Sequence, residues 1–231
     1  MLVTITPNQV RRWLIVITTG LLIAHITTQI GIYGFGAHKY WLDSLNMDRE
    51  VNLPTFFSTV LLMANAIALR RLSVAPNDKN SPHWKRLSQI FLFLAADEAL
   101  QIHEILIIPG LRRQIHPALA STWVIPYALL ALGLLWHFRH FLKNLPQQTS
   151  NRFLRSGGIY IMGAIGMEMV GSFAVRSGLI RLHSFWYGTI TGMEESLEIL
   201  GLIFFLHALM LELLTRSNHL TWTLKLKSNS P

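Results

Sequence analysis

The sequence predicts an all-α polytopic membrane protein, folded as a bundle of six transmembrane helices. The chain has 231 residues, of which 51% are hydrophobic and only 14% are charged, a balance too apolar for an ordinary soluble domain. Its apolar residues also fall into runs near the ~20 residues that a helix needs to cross a bilayer. A third observation concerns function, because seven of the twelve acidic residues lie inside those runs.

The six predicted spans follow one another with short connections, so the chain reads as one membrane domain over residues 1–216. A polar, basic tail over residues 217–231 is expected to lie on the cytoplasmic side. The spans cover residues 13–34, 52–70, 88–109, 121–141, 156–175 and 186–212.

Local signals support each span in turn. The first begins after Arg11-Arg12 and is longer than the apolar core of a signal peptide. The second opens at Asn52-Leu53-Pro54, and a polar stretch at 77–82 separates it from the third. The fourth and sixth begin beside Trp123 and Phe185-Trp186-Tyr187, where interfacial aromatic belts lie. The fifth contains five glycines, which allow helices to approach closely.

Charge predicts the orientation. Fourteen Lys and Arg residues flank one set of helix ends and six flank the other, which places both termini in the cytoplasm. These basic residues flank apolar runs and form no single stripe, so the net charge of +8 does not indicate nucleic-acid binding. The absence of Cys excludes disulfides and thiolate metal sites.

The acidic residues within the spans are the functional signal. A carboxylate at the centre of a bilayer helix costs roughly 2.5–3.5 kcal/mol, so seven facing lipid would cost on the order of 20 kcal/mol. None of the twenty Lys and Arg residues lies near the middle of those runs. We therefore expect the carboxyl groups to face inward, neutralised by protons or by a bound cation. They are Asp97, Glu98, Glu104, Glu168, Glu194, Glu195 and Glu198.

Helix geometry groups these side chains. In a continuous helix at ~100° per residue, Asp97, Gln101 and Glu104 fall within about 60° on one face, with Glu98 and His103 to either side. Glu194 and Glu198 share a face of the sixth span. At ~1.5 Å per residue, the acids of the third, fifth and sixth spans lie near mid-membrane. The seven acids and His103 are the candidate metal ligands, and Gln101 and His25 are candidates to support them by hydrogen bonds.

Oxygen-rich coordination with few histidines suits hard divalent cations. The expected cofactor is therefore a divalent metal, with Mn, Fe, Zn, Mg and Ca all open. The Glu-x-x-His spacing of ferritin-like di-metal bundles is absent, so such a site would have to be built differently. No catalytic residue is assigned.

The third and sixth spans share a short pattern. Asp97-Glu98-Ala99-Leu100-Gln101-Ile102 matches Glu194-Glu195-Ser196-Leu197-Glu198-Ile199 in type. In the predicted topology these spans run in opposite directions. The match therefore raises the hypothesis of two inverted three-helix halves, an arrangement common in transporters.

The motifs also resemble those of a group of uncharacterised six-helix bacterial integral membrane proteins. The similar features are Asp-Glu-x4-His-Glu at 97–104, Gly163-Ala164 followed by Glu168, Glu-Glu-x2-Glu at 194–198 and the 52–58 start of the second span. The resemblance covers about residues 50–212 and implies a bacterial inner-membrane location. It implies no activity.

Three functions stay open at this point. The first is a cation or proton-coupled transporter, and the second is a metal-dependent membrane enzyme acting on a lipid or quinone-like substrate. The third is a structural or assembly subunit of a membrane complex. The expected partner is the lipid bilayer, with homo-oligomerisation and the substrate undetermined and no nucleic acid.

Overall fold

The computed structural model describes residues 5–37, 42–49, 51–75 and 78–216, and within these ranges the chain is helical without β-strands. A π-helical segment, Met162–Met167, joins α6 to α7, so that Gln147–Arg176 is one helix of 30 residues. The tail predicted at 217–231 lies outside the described residues. The α-helices are α1 Pro7–Phe35, α2 Leu53–Ser73, α3 Ser81–Leu100, α4 Pro109–Arg112, α5 Val124–Asn144, α6 Gln147–Ile161, α7 Glu168–Arg176 and α8 Phe185–Arg216.

Five of the described helices are long and apolar enough to cross a membrane, namely α1, α2, α5, the joined α6–α7 and α8. The prediction of an all-α chain with apolar, membrane-length helices is thereby confirmed. The helix α3 does not meet the criterion. It starts with the polar Ser-Pro-His-Trp-Lys-Arg and carries Asp97 and Glu98 near its end.

The predicted third span, 88–109, is wrong at its C-terminal end, because the helix does not continue to residue 109. The helix α3 stops at Leu100, and Gln101 takes a left-handed conformation with φ 54° that is uncommon outside glycine. The chain then continues as a 3-10 helix, Ile102–Leu106. The Asp97 carboxylate stabilises this turn by accepting the backbone N–H of His103 at 2.7 Å. Hydropathy alone does not reveal such a side-chain cap.

The N-termini of α1 and α2 follow ordinary capping chemistry. Thr6 and Gln9 form a reciprocal capping box at the start of α1, and Pro7 follows the cap. Asn52 caps α2 by accepting the N–H of Thr55 at 2.7 Å. These two helices therefore begin where local side chains satisfy their first backbone donors.

The helix α8 lies at the centre of the bundle, where it packs against α1, α2 and α6, while α2 also packs against α3. Leu62 and Leu69 of α2 meet Ile199 and Ile203 of α8 in a fully buried core. In contrast, α5 exposes its apolar side chains; Leu132 is 65% exposed. An apolar helix face that the bundle leaves uncovered fits contact with lipid.

A polar clasp ties the far end of α8 to its neighbours. Arg216 pairs with Glu212 at 2.8 Å and with Asp78, and Thr149 of α6 donates to Glu212 at 2.9 Å. Trp84 of α3 donates its ring N–H to Asp78 at 2.9 Å. Burial alone would raise the pKa of Asp78. The hydrogen bonds from the Asn80 N–H and the Arg216 guanidinium outweigh burial and lower that pKa below its ordinary value.

The π-helical segment touches α8 without any side chain between the two backbones. A Cβ added at Gly163 would lie 2.8 Å from the Glu194 carbonyl oxygen and 2.9 Å from the Glu198 backbone nitrogen. Such distances are shorter than van der Waals contact, so this approach requires glycine. By contrast, a Cβ added at Gly157 meets no atom within 4 Å.

We expect Gly163→Ala to destabilise the fold by about 1–3 kcal/mol, the usual cost of overpacking. Gly157→Ala is the matched control. It should leave stability unchanged or raise it by up to ~1 kcal/mol, since alanine favours helix. Thermal unfolding of the purified variants in detergent measures both. Equal melting temperatures for the two variants would contradict the packing described.

Candidate functional site

Asp97 is the most buried of the predicted site acids, and its two carboxylate oxygens are already engaged. Oδ1 accepts the His103 backbone N–H at 2.7 Å and faces His103 Nδ1 at 3.3 Å. Oδ2 accepts the Tyr127 hydroxyl of α5 at 2.9 Å. Asp97 therefore holds the turn after α3 and links that turn to α5. These contacts give Asp97 a part in holding the turn, and the hypothesis that it also binds a metal stays a prediction.

His103 belongs to the same turn. Its ring packs against two aromatic rings that also contact each other, with centroid distances of 5.0 Å to Trp123 and 6.4 Å to Tyr127. Since a carboxylate accepts, Nδ1 carries the hydrogen that it shares with Asp97. His103 thus lies beside Asp97, but as part of the turn and not on a continuation of α3.

Glu98 points to α2. Its Oε1 accepts the hydroxyl hydrogen of Ser58, which also lies 3.1 Å from the Thr55 carbonyl oxygen. Glu98 is half-buried and lies within the electrostatic field of Asp97 and His103. The start of α2, which the sequence marked only by its resemblance, therefore supplies a hydroxyl to the acids of α3.

Glu168 and Glu194 form the centre of the site. Their carboxyl groups interact with each other across the contact between the α6–α7 helix and α8. Ser172 donates to Glu168 Oε1 at 3.1 Å, and Ser121 lies 3.0 Å from the Ser172 hydroxyl. A hydrogen bond between two carboxyl groups requires a proton on one of them, since two carboxylates offer only acceptors.

Tyr160 reaches the same acids from α6. Its phenol interacts with the Glu198 carboxyl group and lies in the electrostatic field of Glu98 and Asp97. Gly201 allows this approach, because a Cβ there would lie 2.7 Å from the Tyr160 nitrogen. The phenol therefore bridges the acids of α8 and those of α3.

Uniform helix geometry misplaces Tyr160. At ~100° per residue, it falls about 80° from Glu168 and reads as an interfacial aromatic. The π-helical turn inserts one extra residue, which shifts the later faces by about 100° and brings the two residues to within about 20°. The cluster of glycines in the fifth span was the available signal, and the sequence reading took it only as helix packing.

The remaining candidate ligands and supporting residues differ in burial and in position. Glu195 is half-buried and acts electrostatically on Glu194. Glu104 is exposed in the 3-10 turn, because α3 ends before it, so the face that it was predicted to share with Asp97 does not form. Gln101 is the left-handed residue of that turn. The predicted common face of Asp97, Gln101 and Glu104 is therefore wrong.

Both ring nitrogens of His25 hydrogen-bond backbone groups of the described chain, and neither of these bonds is to one of the acids. Its Nδ1 accepts the Met47 backbone N–H at 2.9 Å, so Nε2 carries the hydrogen and donates to the Gly188 carbonyl at 2.7 Å. Gln29 extends this network to Asn46 at 2.7 Å. His25 thus ties α1, the segment 42–49 and α8 together through backbone groups.

Tyr187 lies at one end of the row of acids formed by Glu168, Glu194 and Glu198. Its phenol lies in the electrostatic field of Glu168, Glu194, Asp48 and Arg112. Tyr187 stands in the first turn of α8 and Glu198 lies further along the same helix. Glu168 and Tyr160 face these α8 residues from the joined α6–α7 helix.

This linear arrangement bears on metal binding. Within the described part of the chain, no three His, Asp or Glu side chains are grouped closely enough to hold one metal ion. The carboxyl groups instead occur as a pair, Glu168 with Glu194, and as single groups with hydroxyl partners. The geometry can share, accept and pass protons without rearrangement, while a metal ion would need the acids to move together.

Comparison with known proteins adds a family. No curated protein and no solved structure matches the chain. One family model, described as a domain of unknown function, DUF8692, matches residues 13–213, which includes every residue of the site. The chain therefore belongs to the DUF8692 family.

Proposed function

We propose that this protein is a proton-coupled membrane protein, in which interior carboxyl groups bind and pass protons. These groups, the carboxyl file, are Glu168, Glu194, Glu198 and Glu98. The pairing of the Glu168 and Glu194 carboxyl groups carries the proposal. Two neighbouring carboxylates repel when both are ionised, so one proton shared by the pair is the stable state, as in paired-acid enzyme sites. The proton is thus the cation that fits the pair as it stands.

The groups on either side of the pair give protons a route. Ser172 contacts Glu168, Glu198 follows Glu194 by one helical turn, and Tyr160 links Glu198 towards Glu98 and Ser58. Hydroxyl groups both donate and accept, so they can pass a proton between acids. The nearest cationic side chains lie at the ends of the helices, so protons are the available means of neutralisation.

A divalent cation is the second candidate. The observation that favours it is the crowding around Glu194, which lies in the field of Glu168, Glu195 and Glu198. Modest rotations of these side chains would offer a hard ion such as Mn²⁺ or Mg²⁺ several oxygen ligands. The two proposals differ in what neutralises the pair at neutral pH.

For the membrane arrangement we propose that α3 is a sixth span, shielded by its packing on α2. Its Lys85 and Arg86 lie in its first turns, on the side predicted to be cytoplasmic. Both termini would then lie in the cytoplasm of a bacterial inner membrane.

We expect a protonated carboxyl band in the infrared spectrum of the lipid-reconstituted protein at neutral pH. Glu194→Gln and Glu168→Gln should each remove it, because the remaining partner then has an amide donor and can ionise. Exposed Glu104→Gln is the matched control and should retain the band. A spectrum without the band would contradict the proton proposal, and its loss on adding Mn²⁺ would favour the divalent cation.

We expect Tyr160→Phe to slow proton flux through the protein in liposomes roughly tenfold to hundredfold, because positioned proton-transfer groups contribute at least this much. A pH-sensitive dye inside the vesicles, with an imposed potential, reports the flux. Tyr33→Phe, on a partly exposed residue of α1, removes the same hydroxyl elsewhere. Equal flux in wild type and Tyr160→Phe would exclude the phenol from the route.

We expect reporter fusions after residue 216 and within 113–120 to give opposite sides of the membrane, with the first in the cytoplasm. The Lys and Arg asymmetry and six crossings both require this result. Fusions within 77–80 supply the internal check and should match the C-terminal one. Opposite sides for residues 77–80 and the C-terminus would remove α3 from the set of spans.

A further inference from the structure

A cavity of about 410 Å³ opens beside the end of α7, in the range of volumes that hold small ligands, and none of the acids of the site lines it. It forms where the segment after the α3 turn folds against the last residues of α7. Thr122 fixes that segment by accepting the Ile108 N–H at 2.8 Å and donating to the Leu106 carbonyl. The lining residues are Ile107, Pro109, Arg112, Arg113, Val175 and Arg176.

Three of the six lining residues are arginines, and no acidic residue lines the cavity. None of the ion pairs among the described residues involves Arg112, Arg113 or Arg176. Three guanidinium groups that share one cavity repel one another, so an anion would relieve that repulsion. Their planar donor forks suit phosphate oxygens in particular.

The surroundings of the arginines are apolar. Ile107 and Val175 line the cavity, and next to them Ile105 and Ile108 are 78% and 53% exposed. Leu179, just beyond α7, is 69% exposed. A ligand with a phosphate group and hydrocarbon chains would engage both kinds of surface, whereas free phosphate would engage only the arginines.

The position of the cavity agrees with such a ligand. Arg176 is the last residue of the 30-residue helix Gln147–Arg176, one of the helices able to cross a membrane. Basic side chains at the end of a spanning helix lie at the level of lipid headgroups. A lipid whose phosphate group bound there would place its acyl chains in the adjoining bilayer.

We infer that this cavity binds the phosphate group of an anionic lipid, held by Arg112, Arg113 and Arg176. The inference does not rest on the proton proposal, since it uses none of the carboxyl groups of the file.

The test is thermal unfolding of the full chain in detergent with added short-chain lipids. Phosphatidylglycerol should raise the melting temperature saturably, while diacylglycerol of equal chain length, which lacks phosphate, should not. Arg112→Gln with Arg176→Gln should weaken the apparent affinity at least about tenfold, since hydrogen bonds to charged groups typically contribute that much. The matched control is Arg181→Gln, because Arg181 lies between α7 and α8, close in sequence to Arg176, and does not line the cavity.

The possible outcomes separate the sources of phosphate. An equal shift from inorganic phosphate at the same concentration would overturn the lipid assignment, as would an equal shift from diacylglycerol. Unchanged phosphatidylglycerol affinity in the double variant would overturn the cavity assignment. If that variant melts early without lipid, Arg112→Lys with Arg176→Lys keeps the charge but loses the fork, and it should show intermediate affinity.

Discussion

The site depends on one backbone contact, the approach of the π-helical segment to α8 at Gly163. Because Gly163 places no side chain between the two backbones, the Glu168 carboxyl group one turn further on comes next to that of Glu194. A regular helix with a larger residue at this position would hold the two helices farther apart. It would also rotate Glu168 away from Tyr160. The π turn and the glycine therefore act together, and π-helical turns recur at functional sites for this kind of reason.

The centre of the bundle is built to tolerate these acids. Polar networks occur at both ends of α8, with His25 and Gln29 near Gly188 and with Glu212, Arg216 and Asp78 at the other end. Between them lies the apolar core of α2 and α8, below the carboxyl file. The two networks fix both ends of α8, so the position of the acids in its first half does not depend on their own contacts alone. Burying an acid costs less free energy when its carboxyl group has a polar partner, and the acids of the site have hydroxyl or carboxyl partners.

Much of this architecture is readable from the sequence, and the exceptions have physical causes. Helix class, the five apolar spans and the inward acids of α8 follow from hydropathy and from the cost of charge in lipid. The end of α3 does not, because Asp97 caps a turn that begins with a left-handed glutamine. The two copies of the short sequence pattern also differ in local structure. The helix α3 ends within its copy at Leu100, whereas α8 continues without interruption through 194–199. This difference weakens the hypothesis of inverted halves. The role of Tyr160 was missed because hydropathy patterns assume α-helical spacing and a π turn changes it.

The hydrogen-bond partners of the acids indicate two different roles. Asp97 accepts hydrogen bonds from a backbone N–H and a phenol that both have to be satisfied where the chain turns, so its charge is needed for the fold. Glu168 and Glu194 instead interact with each other, and Ser172 adds a single hydroxyl donor to Glu168. A group held by several fixed donors stabilises one protonation state, whereas a pair of carboxyl groups that shares a proton can exchange it with less reorganisation. On the proton proposal, the exchangeable part of the site therefore lies between the α6–α7 helix and α8, and Asp97 belongs to its frame.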